Sequence, residues 1–334
     1  MISCSSKDSR KSSCWDESKV SFVKDKLISV MQNLSDEKLE PKLIEESCKK
    51  RKYQVGEHFL IIANSPDKSV EARTFRASAH PKQCLERALE SIANLNSEID
   101  NKIVSLHKSK FPESWQDVDL SPVGWLNCTS TQADFDDSVT TFLHELTHQI
   151  KELEKQCMYL AISKKQLCFD FSADLPLRSY GKQESFPTAN KDAVKGLTMI
   201  QKIYLTDTDQ AYFWLLDELN AYALTAFNYS ERLKLYGSKA FFDKEGKRPG
   251  VFLPLFYKIS VDYLLRLKQE DRELFNKEIL ENKVNRDRLK ELFTLTQITY
   301  QDWRKQLRSA GKPERDWEKA LFKQAVEIQN SLKL

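Results

Sequence analysis

The segment from residue 139 to residue 153 most constrains how this chain can fold, because it combines a helical pattern with two histidines. Its apolar residues recur every three or four positions: Val139, Phe142, Leu143, Leu146, Ile150 and Leu153. This spacing predicts an amphipathic helix with one face in a core. His144 and His148 lie one above the other on such a helix, so both imidazoles can reach one metal ion. Glu145, about 100° round the helix, can contact a water molecule on that metal.

The run His144-Glu145-Leu146-Thr147-His148 resembles the His-Glu-x-x-His motif of the zincin metallopeptidases. The flanking positions agree with the longer zincin pattern, which excludes charge there and places an apolar residue two positions after the second His. The agreeing residues are Thr141, Phe142, Leu146, Thr147, Gln149 and Ile150. The resemblance implies that His144 and His148 are zinc ligands and that Glu145 is the general base. The alternative is a partly buried helix face on which two His occur without a metal.

A zinc site needs a third protein ligand beside the two imidazoles, with water as the fourth. No His follows His148, and Lys151 and Glu154 stand where metzincins carry Gly and a third His. The resemblance therefore favours the gluzincin type, in which Glu from a later helix completes the site, and Glu218 fits this best. Its neighbours three and four positions away are all apolar or aromatic: Trp214, Leu215, Ala221 and Tyr222. A carboxylate on such a face needs a cation, either a metal ion or a buried Arg or Lys.

Asp209 is the second candidate for the third ligand. The segment 206–212 resembles the Thr-x-x-Asp-x-x-Tyr core of the aspzincins, although Leu205 and Phe213 replace the Gly residues that flank that core. The number of residues between His148 and Asp209 is also much larger than in that family. Both Glu218 and Asp209 therefore remain candidates.

Tyr222 marks a departure from the gluzincin pattern. Many gluzincins place an acidic residue four positions after the metal-binding Glu, where it orients a ligand imidazole; Tyr222 occupies that position here. We therefore include Tyr222 as a catalytic candidate. The support that orients the imidazole must then come from elsewhere, and Asp217 and Asn220 are candidates for it.

Composition predicts a mainly α fold, α+β with a small sheet. The chain has 334 residues, of which only eight are Gly and 30% are charged, and this favours long amphipathic helices. The resemblance implies a zincin-like catalytic core with an active-site helix and additional helical layers. We predict four segments: a disordered polar tail over 1–17, a helical and strand subdomain over 18–120, the catalytic core over 121–235 and a C-terminal helical subdomain over 236–334.

Local patterns predict the individual elements. Helices are expected over 20–34, 37–50 and 81–99, and a buried strand is expected within 53–63. Asp136-Asp137-Ser138 should cap the central helix. Residues 123–129 are a candidate edge strand for binding an extended substrate, or else an ordinary loop. A strand is expected near 166–172, and further helices are expected near 251–268, 270–282, 284–309 and 313–333.

Charge, hydropathy and cysteine content predict the partners, the location and the redox state of the protein. The net charge of +3 is small for a chain with 101 formal charges, so nothing favours nucleic acid or a membrane as partner. Without a run of 18 apolar residues or an apolar block near Met1, we expect a soluble cytoplasmic protein. Delivery into another cell by a route that needs no signal peptide is the alternative. The seven Cys, without a Cys-x-x-Cys pair, are expected to be reduced thiols.

The sequence thus predicts a zinc-dependent endopeptidase that acts on protein or peptide substrates through a metal-bound water activated by Glu145. A zinc aminopeptidase is a close variant, although no acidic cluster is assignable to a free N-terminus. A helical interaction protein with a fortuitous His pair is the alternative from another class. A di-iron carboxylate bundle would need a second Glu-x-x-His, which the chain lacks.

Overall fold

The computed structural model describes residues 15–32, 40–47, 50–55, 58–64, 70–76, 81–95, 97–116, 125–128, 132–171, 175, 212–237, 252–312 and 314–334. Numbered within these residues, the helices are α1 (Glu17–Gln32), α2 (Pro81–Asn94), α3 (Glu98–Lys110), α4 (Pro112–Gln116), α5 (Gln132–Ile150), α6 (Tyr212–Tyr236), α7 (Leu253–Glu270), α8 (Arg272–Phe275), α9 (Lys283–Ser309) and α10 (Asp316–Leu332). A π-helical turn, Asn276–Glu281, lies between α8 and α9. The strands are β1 (Lys42–Glu46), β2 (Lys50–Val55), β3 (His58–Asn64), β4 (Val70–Arg76), β5 (Cys157–Leu160) and β6 (Lys165–Cys168). The mainly helical fold with small sheets is therefore confirmed.

The chain divides into two compact units. The N-terminal unit comprises 1–86 and 112–124, and the C-terminal unit comprises 87–111 and 125–334. The four segments expected from the sequence remain a prediction about which parts fold independently. No helix among the described residues combines the length and the apolar composition needed to cross a bilayer.

The N-terminal unit contains a four-stranded antiparallel sheet in the order β1-β2-β3-β4, with α1 against β3 and β4. The strand expected within 53–63 is two strands, since β2 ends at Val55 and β3 begins at His58. A small core holds the unit together, formed by Trp15, Val20, Ile28, Tyr53, Val55, Leu60 and Ile62. Of the predicted disordered tail, residues 1–14 lie outside the described residues. Within the remaining residues of that segment, Trp15 is buried and Glu17 begins α1.

The helix expected over 37–50 is wrong where the chain is described, because Lys42–Glu46 is the edge strand β1. Opposite charges meet across β1 and β2: Glu46 lies opposite Arg51, and Lys50 pairs with Glu45 at 3.3 Å. Such cross-strand pairs stabilise a sheet, and charged side chains are common on edge strands. A charged run that suits a solvated helix therefore suits an edge strand equally well.

The C-terminal unit is built around α6, which packs against α5, α7 and α9. α6 is buried on most sides because its sequence is apolar around most of its circumference. α3 packs on α5, and α10 packs on α7. Contacts between residues 136 and 232 and between residues 148 and 217 show that α5 and α6 run antiparallel. Every predicted ligand that the structure describes lies between these two helices.

Several predicted boundaries need correction. α5 begins at Gln132, a turn before the predicted cap at 136–138, and Ser97 ends the helix expected over 81–99 by capping α3. Residues 125–128 of the candidate edge strand form no strand; the rest of 123–129 lies outside the described residues. The strand expected near 166–172 is β6, which pairs with β5 in a hairpin. The four helices expected after 251 correspond to α7, α8 with its π-helical turn, α9 and α10.

A disulfide joins Cys157 to Cys168, so the expectation of reduced thiols is wrong for this pair. These residues face each other in the register of β5 and β6. Two Cys that lie directly opposite each other on neighbouring antiparallel strands are close enough to form a disulfide. A separation of 11 residues matches no Cys motif, and the pairing therefore depends on a hairpin that the sequence analysis did not predict.

Candidate metal centre

The two helices α5 and α6 bring the three predicted ligands together. His144 and His148 project from α5, and Glu218 projects from α6 toward them. The Nε2 atoms of the two imidazoles are 3.1 Å apart. The Glu218 oxygens lie 3.4 Å from Nε2 of His148 and 3.7 Å from Nε2 of His144. One ligand atom from each residue lies within 4.8 Å of the others, so this group could hold a metal ion.

The opposite nitrogens of the two rings contact the protein. Nδ1 of His148 is 2.7 Å from Oδ2 of Asp217, and Nδ1 of His144 is 3.1 Å from the Thr225 hydroxyl. That hydroxyl donates to the carbonyl of Ala221 at 3.0 Å, so we assign it as the acceptor of the His144 N–H. Both rings then carry a proton on Nδ1 and turn Nε2 toward Glu218. Ligand histidines in metalloproteins are oriented by such bonds.

Of the two candidates for orienting an imidazole, the structure gives this contact to Asp217. Asn220 points elsewhere, because its side-chain amide donates to the carbonyl of Tyr159 in β5 at 3.1 Å. Asp217 is fully buried, and its charge is matched by Lys151, whose Nζ lies 2.5 Å from Oδ2. His148 therefore contacts a fixed carboxylate at one nitrogen and Glu218 at the other.

Glu218 provides a test of whether a cation fits. The residue is buried, and its Oε2 atom has no hydrogen-bond partner among the described residues. A buried carboxylate oxygen without a partner is costly. Lys151 pairs with Asp217, and Arg232 pairs with Asp136. Among the described residues, the ion-pair contacts of Glu218 are therefore to His144 and His148 and not to a buried Arg or Lys. A cation among the two Nε2 atoms and Glu218 would satisfy this oxygen.

The charges of the cluster are strongly coupled. Burial by itself lowers the pKa of His148, but the carboxylates of Asp217 and Glu218 outweigh burial and raise that pKa to about 10. Burial by itself raises the pKa of Glu218, but His144 and His148 outweigh it and hold that pKa well below its usual range. The pocket thus favours an ionised Glu218 and a positive charge beside it, whether that charge is a proton or a metal ion.

Glu145 and Tyr222 lie beside the three ligands. Glu145 is partly exposed and follows His144 on α5. The Tyr222 ring packs edge-on against His144, with ring centroids 4.5 Å apart, and stacks on Phe256 at 4.7 Å. Burial raises the pKa of Tyr222, and the charges of Glu218 and Glu145 raise it further.

The contact of Thr225 with His144 and the contact of Lys151 with Asp217 were not expected from the sequence. Thr225 follows Glu218 by seven positions, two helical turns, so the spacing that selected Glu218 also places Thr225 on the same face. Lys151 follows His148 by three positions and was considered only as a departure from the metzincin pattern. Asp209, the second candidate for the third ligand, lies outside the described residues.

No protein-family model matches this chain, and no curated protein or solved structure matches it. The interpretation of the metal centre therefore depends on its geometry and on the chemistry of its side chains.

Proposed function

We propose that this protein is a zinc-dependent endopeptidase of the gluzincin type, which hydrolyses peptide bonds in protein or peptide substrates. One observation carries the proposal: the Nε2 atoms of His144 and His148 converge on the buried Glu218 carboxylate, with Glu145 on the next position of the same helix. Two imidazoles and one carboxylate are the ligands of many hydrolytic zinc sites, which keep a fourth position open.

The chemistry of the ligand atoms favours zinc. Magnesium and calcium prefer oxygen ligands, whereas imidazole suits zinc and several other transition metals. A zinc ion at this site would lower the pKa of a bound water and polarise a substrate carbonyl. His144, His148 and Glu218 would hold it, and Asp217 and Thr225 would keep the two rings turned toward it.

Glu145 is the residue that moves the proton in this proposal. Its carboxylate removes a proton from the attacking water and passes it to the amine that leaves when the peptide bond breaks. Glu145 is partly exposed and follows the ligand His144 directly on α5, which supports this role. Glu145 is not among the residues that would hold the metal.

Tyr222 is proposed to donate a hydrogen bond to the substrate carbonyl oxygen as negative charge develops there. Its ring is fixed between His144 and Phe256, which leaves the hydroxyl little freedom. Replacing Tyr222 by Phe keeps the ring packing and removes the donor. We expect Tyr222→Phe to lower kcat by roughly 100-fold with zinc affinity unchanged; an unchanged kcat would remove Tyr222 from the mechanism.

Glu145→Gln tests the proposal as a whole. We expect the variant to bind zinc as the wild type does and to lose at least about 100-fold in hydrolysis of a fluorogenic peptide library. Glu154→Gln is the matched control, because Glu154 is exposed and follows the same helix; it should keep full activity. Hydrolysis by Glu145→Gln at the wild-type rate, or no hydrolysis by the zinc-loaded wild type, would contradict the proposed function.

A further inference from the structure

We propose that Lys151 is a positioning residue of the metal centre, which fixes Asp217 so that Asp217 can orient the ligand His148. This inference rests on the proposed use of a metal at His144, His148 and Glu218. Among the described residues, Lys151 contacts the Asp217 carboxylate and the Trp214 ring rather than the three ligands.

Asp217 has no exposed surface, and a single oxygen makes both of its polar contacts. Oδ2 accepts from Nδ1 of His148 at 2.7 Å and from Nζ of Lys151 at 2.5 Å. The other oxygen, Oδ1, has no hydrogen-bond partner in the described part of the chain. Without Lys151, the imidazole of His148 would be the one polar group of the described residues that contacts this carboxylate.

Lys151 is itself held firmly. Its side chain is 7% exposed, and its Nζ lies 3.6 Å from the centre of the Trp214 ring, a cation–π distance. Its carbonyl accepts from Nζ of Lys110 at 2.5 Å. Trp214 precedes Asp217 by three positions on α6, and Lys151 follows directly after the end of α5. Lys151 therefore ties the end of α5 to α6 where the ligands converge.

The charge balance around Asp217 also supports the positioning role of Lys151. His148 can coordinate a metal ion only as the neutral ring, and a buried carboxylate next to a neutral ring needs another cation. Among the described residues, two form ion pairs with Asp217, namely His148 and Lys151. Lys151 is therefore the cation that remains when His148 is neutral. Residues that orient a ligand from outside the coordination shell affect metal affinity by roughly 10–100-fold when they are replaced.

Zinc affinity tests this inference, measured by competition with a chromophoric chelator at one pH. We expect Lys151→Met to weaken zinc binding by roughly 10–100-fold and Lys151→Arg, which keeps the charge and the donor, to recover most of the loss. Lys155→Met is the matched control, because Lys155 is exposed and pairs with Glu152 at the surface; it should bind zinc as the wild type does. The unfolding midpoint of the metal-free variants separates a loss of metal binding from a loss of fold.

The outcomes are distinguishable. Wild-type affinity in Lys151→Met overturns the positioning role and leaves the proposed function intact. A wild type that binds no zinc overturns both. If Lys151→Met does not fold, Trp214→Leu takes its place, since it removes the ring under the ammonium and keeps the lysine. We expect Trp214→Leu to weaken zinc binding by a factor of about 3 to 10, and unchanged binding there also overturns the inference.

Discussion

Two polar clusters lie against α5 and α6, and they differ in the groups that surround their carboxylates. The candidate metal centre lies toward the end of α5. The other, which we call the arginine cluster, consists of the buried residues Asp100, Asn228 and Arg232 with the half-buried Asp136, and Asp100 belongs to α3. Nη1 of Arg232 lies 3.2 Å from Asp136, and the Asn228 amide, with its nitrogen turned toward Asp100, donates to both carboxylate oxygens at 2.9 and 3.2 Å.

The chemistry of the partners distinguishes the clusters. In the arginine cluster, the Arg232 guanidinium forms an ion pair with Asp136, and the Asn228 amide faces the Asp100 carboxylate. In the candidate metal centre, Nε2 of His144 and Nε2 of His148 lie 3.7 and 3.4 Å from the Glu218 oxygens, and Oε2 of Glu218 lacks a hydrogen-bond partner among the described residues. Each Nε2 can offer a lone pair to a metal ion when its ring is neutral. Burial of polar residues on a helix face therefore does not by itself distinguish a candidate metal site. The convergence of two imidazoles and one carboxylate is what makes this group able to hold a metal ion.

Removing the charge of one carboxylate in each cluster gives the largest expected contrast. Glu218→Gln should weaken zinc binding by roughly a thousandfold, because it removes one of the few ligands that share the binding free energy. Asp100→Asn should bind zinc as the wild type does. Asp209→Ala should also keep zinc if Glu218 is the third ligand. A chelator competition series that finds zinc lost in Asp209→Ala and kept in Glu218→Gln would reverse the ligand assignment.

Asp100 should make the protein less stable as pH rises. Burial is the main reason that its pKa is raised from 3.8 to about 6, although Ser97, Arg232 and Asn228 act in the opposite direction. The folded state thus binds the proton more tightly than the unfolded state. The associated stability is fully present below pH 3.8 and is lost as pH rises through about 6.

Asp100→Asn should remove this dependence. The variant should gain up to about 3 kcal/mol in the free energy of unfolding above pH 7 and flatten the curve between pH 4 and pH 7. Urea unfolding across that range measures the effect in the wild type and the variant. Equal slopes in the two proteins would show that Asp100 is not the titrating group.

The raised pKa of His148 predicts that zinc displaces a proton. With a pKa of about 10, His148 carries the proton at neutral pH. Zinc needs the neutral ring, so its affinity should rise with pH by about tenfold per unit up to that pKa. Calorimetry at pH 7 in buffers of different ionisation enthalpy should find about one proton released per zinc bound. Zinc binding without proton release would contradict the charge state assigned to His148.

The sequence predicted the central helix and selected the three candidate ligands because each of these choices depends on local spacing. His144 and His148 are four positions apart on a segment with clear helical periodicity, and Glu218 stands out as a carboxylate on an apolar helix face. The long C-terminal helices were predicted for the same reason. In each case, the information lies within one or two helical turns.

The errors lie where structure depends on contacts between elements and not on the periodicity within one element. β1 carries charges that pair with β2, and the disulfide between Cys157 and Cys168 depends on the register of a hairpin. Thr225 on α6 contacts His144 on α5, and the spacing of residues within α5 does not predict this contact. The disulfide also bears on the predicted cytoplasmic location, since such bonds persist mainly in oxidising compartments. That location remains a prediction, and this bond argues against it.

The metal content of the purified protein tests the central claim most directly. After incubation with zinc and removal of the excess, elemental analysis of the wild type should find about one zinc per chain, because three protein ligands on two packed helices form one site. Glu218→Gln, treated identically, should retain little. A wild type without stoichiometric metal would contradict the account and would favour a helical interaction protein whose two histidines bind no metal.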